Sequence, residues 1–288
     1  MAAPSSLLQR TARAPAAPFR GAPAARGAAR AGRAAPPRAA AGAAFSVDKP
    51  TLIDVPVSNH GARVRHIIYA KGLEGEIDIA SPAALGGLGS AEYQAANPQG
   101  KMPVLLLPGG GVLPESEVIA QYLIDRWAGT GPAMTAATPE LRAVAALAAR
   151  LHDQYITPIQ ACMYRKQEPV ERAALLAALV KQLDVLEGLC VGPNYIAGDA
   201  ITAGDSALFP TFVFCTYILP RYFGWPDVFA GRPKLAAWWA ALQRDPHAKR
   251  VMDEVAGGLE GWSAKGRWEE LGITQQLREH PELKWVYP

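Results

Sequence analysis

Apolar residues before residue 128 come in short runs, whereas beyond residue 138 they recur at helical spacing. Thr51 to Val57 is a short apolar run with Pro56 near its end, which predicts a strand. Ser58-Asn59-His60-Gly61 then reads as a turn. Val64, Ile67 and Ile68 fall at i, i+3 and i+4 on one helical face, with Arg63 and Arg65 on other parts of the turn. Gly72 and Gly75 stop that helix, and Glu76 to Ile79 alternates as a second strand would. Strand, helix and strand make a βαβ unit, with parallel pairing and a right-handed crossover. Residues 80 to 96 carry little pattern beyond Ser90, a cap for a short helix through Tyr93.

The stretch from Asn97 to Tyr122 reads as a loop, a strand over Val104 to Leu107, a turn at Gly109 to Gly111, a second strand, and a helix opening near Glu115. Pro103 has no N–H to give a ladder, so it marks the first residue of the strand and is a candidate for a cis peptide bond. A hairpin joined to a βαβ unit predicts a mixed sheet, and the two pairs of strands make it four-stranded. The resulting domain spans residues 50 to 127, with a linker at 128 to 137.

From 138 to 255 the pattern is helical. Thr138-Pro139-Glu140 supplies a capping hydroxyl, a first-turn proline and a first-turn acid. Helices are expected over Leu141 to Ala161, Val170 to Glu187, Ala203 to Leu219, Pro233 to Gln243 and His247 to Val255. Thr202-Ala203-Gly204-Asp205 is a capping box with aspartate in place of glutamate; Ser206 holds the usual staple position, so Ile201 must pack elsewhere. An extension follows at 256 to 288, containing Trp262, Trp268 and Trp285.

Charge alters the picture at the N-terminus. Residues 1 to 45 hold nineteen alanines, seven arginines and no acid, the profile of an organellar transit peptide, chloroplast or mitochondrial. Seven of the 29 lysines and arginines lie there and none of the 26 acids does, so the remainder carries 22 basic against 26 acidic groups, a formal net of −4. Clustered basic residues of the nucleic-acid-binding kind are not visible, and no run is apolar enough to predict a membrane span. The three cysteines, Cys162, Cys190 and Cys215, form no CxxC pair and read as small buried hydrophobes. Neither a phosphate-cradling GxxxxGK[ST] nor a GxGxxG follows a suitable strand, and no metal-ligand spacing stands out.

Candidate chemistry concentrates between the two halves of the first domain. At Glu115-Ser116 a carboxylate and a hydroxyl stand beside the unpaired N–H groups of a helix start, a combination suited to a ligand with both an ammonium and a carboxylate. NPQGKMPVLLL followed by LPESEVIAQYL resembles the glutathione-binding strand, turn and helix of the soluble glutathione S-transferase family. YIAGDAITAGDSALFP and RPKLAAWWAALQRDPHAKRVM resemble segments of that family's helical domain. The resemblance covers about residues 51 to 255 and implies a thioredoxin-like domain followed by an all-helical one, usually as a homodimer.

The same resemblance assigns roles. Met102 would offer backbone groups to the cysteinyl part of glutathione, beside a cis Pro103. Glu115 and Ser116 would hold the γ-glutamyl end, and Lys101 would lie near the glycyl carboxylate. Ser58-Asn59-His60-Gly61-Ala62-Arg63-Val64-Arg65 resembles the serine, turn and Arg-x-Arg helix start of the plant-like serine branches, which places the catalytic role on Ser58. Its hydroxyl would donate to the sulfur, with helix N–H groups and nearby positive charge favouring the thiolate. The sequence departs from those branches in having Asn59-His60 after the serine. Read as residues alone, Ser58 fits a simple helix cap equally. His60 sits in the right turn to polarise a substrate, and Tyr155, Met163 and Tyr164 are candidates to line an acceptor pocket; their spacing suits core packing as well.

The expected function is conjugation of glutathione, a cosubstrate and not a tightly bound cofactor, to an electrophilic, mostly apolar small molecule. A non-catalytic glutathione or hydrophobic-ligand binding module is the alternative, motivated by the Asn59-His60 turn and by the tail, which could dock on a partner or cover the pocket. A glutathione-dependent isomerase or peroxidase is a further one.

Overall fold

The computed structural model describes residues 45–288, so the expected leader, apart from Phe45, lies outside the described residues. Strands β1 (Thr51–Ile53), β2 (Asp78–Ala80), β3 (Val104–Leu107) and β4 (Gly111–Pro114) form one sheet in the order β2-β1-β3-β4. β1 runs parallel to β2 and antiparallel to β3, which pairs antiparallel with β4. The expected mixed four-stranded sheet is therefore present. Both faces are covered. Leu52, Leu105, Leu107 and Leu113 face α1 (Asn59–Ala70) and α3 (Ser116–Arg126) in the main core. Ile53, Val104, Leu106 and Val112 meet Tyr93 of α2 (Ala91–Ala96) on the other side. Burial on both sides explains why β3 reads as an unbroken apolar run.

Every residue of α1 except His60 is buried, because the helix lies between the sheet and the helical domain. This exceeds the single apolar face that its sequence displays. Arg63 and Arg65 are carried into the interior with it.

The second domain is all-helical. α4 (Pro139–Leu151) opens as expected, with Thr138 Oγ1 accepting from the Leu141 N–H. It does not run unbroken to Ala161. A wide turn at His152–Ile156 interrupts it before α5 (Thr157–Gln160). Pro158 has no N–H to donate to the carbonyl four residues back, and the wide turn stands immediately before it. After α6 (Pro169–Leu189) comes α7 (Ala203–Ile218), buried on nearly all sides and packed on α1, α4 and α9. The carboxylate of Asp205 at its start accepts from the N–H of Thr202, as a capping box requires, and also from its hydroxyl. It also accepts from the Ile196 N–H and the Trp238 indole, long-range partners the local pattern could not reveal. Ile201 packs on the main core instead of stapling the helix.

Following α8 (Pro233–Arg244), α9 runs Pro246–Ala264, well past the expected end at Val255. The tail then folds through α10 (Arg267–Glu270) and α11 (Ile273–Glu279) back onto its own helical domain. Trp268 stacks on Tyr222 with ring centroids 4.1 Å apart, and its indole donates to the Met163 carbonyl. The Trp285 carbonyl accepts from Trp225, and Gln276 bridges Arg172 to the Gln167 carbonyl. Among the described residues no helix is long and apolar enough to cross a membrane.

Candidate functional site

Ser58 ends the loop that leaves β1 and is the N-cap of α1, its Oγ accepting from the Gly61 N–H at 3.0 Å. The cap uses an acceptor lone pair and leaves the hydroxyl hydrogen, for which the Asp54 carboxylate is a neighbouring acceptor. Among the described residues the N–H groups of Asn59 and His60 have no partner, so the partial positive end of α1 faces the same place.

The peptide bond between Met102 and Pro103 is cis. The β3 ladder begins one residue later, at Val104 opposite Ile53, and neither backbone group of Met102 is paired among the described residues. The Lys101 carbonyl accepts from the Tyr93 hydroxyl and the Asn97 amide, which pins the loop carrying Met102. Glu115, at the junction of β4 and α3, has φ 71° and ψ 114°, a region that non-glycine residues rarely occupy. Such strain costs on the order of 1–3 kcal/mol and gathers at ligand clamps. Glu115 is exposed and makes no capping bond; Ser116, the first residue of α3, is buried.

His60 links the two helix starts. Its Nδ1 lies 3.4 Å from Ser116 Oγ, and its ring packs edge-on against His152. Burial lowers its pKa to about 3, helped by the nearby charges of Arg63 and Lys101, so the imidazole is neutral. The structure therefore brings His60 beside Ser116 and into the field of Lys101. Tyr155, Met163 and Tyr164 occupy three different environments. Tyr155 is exposed, Met163 is fully buried under Trp268, and Tyr164 packs between Phe214 and Trp262. The returning tail claims Met163 and Tyr164 for packing.

The positive charge expected near Ser58 is already committed. Arg63 donates to both oxygens of Asp153 and to Glu117, and its NH2 stands 3.0 Å from Nδ1 of His152. Arg65 contacts Asp54 and Glu254 and donates to the Pro56 carbonyl. Burial raises the Asp54 carboxyl to about 6 against the pull of Arg65. Asp54 rests directly on Gly61: a Cβ there would lie 1.8 Å from Oδ1, so only glycine fits.

Sequence reasoning missed this layer, and also Asn59, whose amide donates to Gln160 and Thr211 across the domain boundary. His60, His152 and Asp153 place ligand-type atoms within 4.8 Å of one another. They do not suit a cation. Both His152 nitrogens and both Asp153 oxygens already have partners, and the Arg63 guanidinium stands 3.0 Å from His152.

Comparison with known proteins accords with the geometry. The N-terminal-domain model of glutathione S-transferases matches residues 52–131 and the C-terminal-domain model matches residues 169–241. A probable glutathione S-transferase of Oryza sativa subsp. japonica is 31% identical over 184 residues, covering 57% of this chain and 73% of the relative. The chain belongs to the glutathione S-transferase family. Glutathione S-transferase 3 of Zea mays is 29% identical over 215 residues, 71% of this chain and 93% of the relative. Among solved structures, glutathione transferase F2 from Populus trichocarpa superposes with a TM-score of 0.61 at 19% identity, over 72% of this chain and 99% of that one; it shows the shared fold. Family membership supports a glutathione-binding or glutathione-conjugating role in general.

Proposed function

We propose that this transferase-family chain conjugates glutathione to an electrophilic, mostly apolar small molecule, with Ser58 donating its hydroxyl hydrogen to the glutathione sulfur, as in serine-type members. The observation that carries the reading is the unpaired backbone at Met102, together with the unpaired N–H groups of Asn59 and His60 at the helix start that Ser58 caps.

In this reading the Met102 N–H and C=O bind the cysteinyl backbone as an added strand would. Glu115 meets the γ-glutamyl ammonium, the Ser116 hydroxyl and the free N–H groups of α3 meet its carboxylate, and Lys101 meets the glycyl carboxylate. The sulfur then lies at Ser58. A free thiol has a pKa near 8.5, and each unit of lowering requires about 1.4 kcal/mol of preference for the thiolate. With Arg63 and Arg65 spent on carboxylates, that preference comes from the Ser58 hydroxyl and the unpaired N–H groups of Asn59 and His60. The thiolate attacks the electrophilic carbon, the new bond being C–S, and a leaving group or proton uptake at the adjacent atom completes the addition. Ser58 forms no covalent intermediate.

Steady-state conjugation of a dinitrohalobenzene by wild type and Ser58→Ala tests this. Loss of a donor to a developing or bound anion predicts a fall in kcat of about 10²-fold, with glutathione affinity nearly unchanged because the other anchors remain. Equal rates and an equal thiol pKa in the variant would remove Ser58 from the mechanism. The binding-module reading draws on one observation, the neutralised arginines beside the site. Tight glutathione binding with no product over a panel of electrophiles would favour it.

A further inference from the structure

The loop Asp54 to Ser58 carries the hydroxyl to which the mechanism assigns the sulfur, and such a loop needs something to hold it. Two groups do so from one side. Arg65 reaches back from α1, its NH2 donating to the Pro56 carbonyl at 2.6 Å and standing 3.5 Å from the Ser58 carbonyl. Its Nε stands 3.0 Å from Asp54 Oδ2. A guanidinium is a rigid planar fork, so its orientation fixes where those oxygens lie.

That orientation is set from outside the first domain. Arg65 NH1 donates to Oε2 of Glu254 at 2.5 Å, while Oε1 of Glu254 accepts from the Tyr69 hydroxyl at 2.9 Å and lies 3.5 Å from Arg250. Glu254 is thus held on both oxygens. It belongs to α9, beyond residue 241 where the C-terminal-domain match ends. One helical turn further on, a Cβ at Gly258 would stand 2.6 Å from Val57 Cβ. The bare backbone of α9 therefore lies against the residue that precedes Ser58. The same helix touches the loop twice, through a charge on its guanidinium brace and through a glycine on its apolar side.

We propose that Glu254 and Gly258 of α9 are positioning residues that fix Ser58 against the glutathione sulfur. The inference rests on the assignment of the sulfur contact to Ser58. Glu254 acts through Arg65 and Gly258 through Val57, and neither touches substrate. Because Met102, Glu115 and Ser116 belong to other elements, weakening this brace displaces the sulfur contact and leaves the peptide cradle intact.

The test uses the full chain carrying Glu254→Gln, Glu254→Asp or Gly258→Ala, with Asp253→Asn as an exposed neighbour on the same helix. Measured for each are kcat, the glutathione KM, the pH profile of kcat/KM and the thermal midpoint. A displacement of about 1 Å at a reacting group costs on the order of 10²-fold. Glu254→Gln and Gly258→Ala should therefore lower kcat about 10- to 100-fold, with the glutathione KM within about twofold of wild type. The apparent thiol pKa should move upward by about one unit, for which the corresponding loss of thiolate preference is about tenfold. Glu254→Asp should recover part of kcat, and Asp253→Asn should match wild type. Folded Glu254→Gln and Gly258→Ala with wild-type kcat and pH profile, alongside an impaired Ser58→Ala, would overturn this inference alone. A wild-type-like Ser58→Ala would overturn the assignment to Ser58 and this inference with it. Lower thermal midpoints with unaltered kcat and pH profile would mark α9 as a stabilising element only, and likewise overturn the proposal.

Discussion

Arg63 and Arg65 stand two residues apart on α1, both buried and both paired with carboxylates, yet their partners respond in opposite directions. Burial works against the charge on Asp153, but His152 and Arg63 hold its carboxyl well below the usual range. Asp54, facing Arg65, is raised to about 6. Alignment makes the difference. Both oxygens of Asp153 accept from Arg63, and its side chain keeps 27% of its surface exposed. The Asp54 side chain has none, the nearby Arg65 Nε is not aligned to donate, and the Val55 N–H and Ser58 hydroxyl beside the carboxylate lower its pKa by less than burial raises it. A guanidinium at 3 Å is not enough to offset full desolvation when no N–H points along the contact.

The harshest way to break the comparison is to remove Asp153. Asp153→Ala leaves the buried Arg63 guanidinium with Glu117 as its remaining carboxylate, and a loss of about 3 to 5 kcal/mol is expected from denaturant unfolding. A loss under about 1 kcal/mol would mean that the pair is no stronger than a surface contact.

Asp54→Asn gives a smaller effect that depends on pH. A carboxyl whose folded pKa is raised from 3.8 to about 6 contributes stability below pH 3.8 and loses it as pH rises through 6. The stability difference between Asp54→Asn and wild type should therefore move in the variant's favour between pH 4 and pH 7, by up to about 3 kcal/mol. A flat difference would show that Asp54 titrates as an ordinary carboxylate. Asp153 has the opposite sign, since its depressed pKa gives stability above the ordinary carboxylate range that is lost on acidification.

The mildest probe is Glu117→Ala. Glu117 also touches Arg63, at 3.2 Å, but its side chain is 46% exposed. Solvent screening limits its expected loss to under about 1 kcal/mol. A loss approaching that of Asp153→Ala would shift the credit for holding Arg63 from Asp153 to Glu117.

Much of the scaffold was legible because its signals are local. Pro103 before VLLL, the glycine turn, Thr138-Pro139-Glu140 and Thr202 with Asp205 each act within four residues, and each stands where expected. The site was legible only as a set of anchors. Met102, Glu115 and Ser58 could be named, and the cap reading of Ser58 with them, but the partner of the cap, the Gly61 N–H, is supplied by the structure. The helix break before Pro158 was missed because an unbroken apolar period masks one wide turn. α9 runs past its expected end at Val255 through Gly257 and Gly258, and at Gly258 the glycine answers to the approach of Val57.

The sequence by itself therefore determined the order of elements, the mixed sheet and the positions of Pro103 and of the helix start at Glu115-Ser116, since short-range backbone preferences and turn chemistry settle these. Only the tertiary structure decided that the two arginines of α1 are spent on carboxylates, that Asp54 is fully buried, and that a late helix lies against Val57. The physical reason is distance along the chain. Arg65 and Glu254 are 189 residues apart, and no local pattern encodes a contact that exists only after both domains have closed on the same helix.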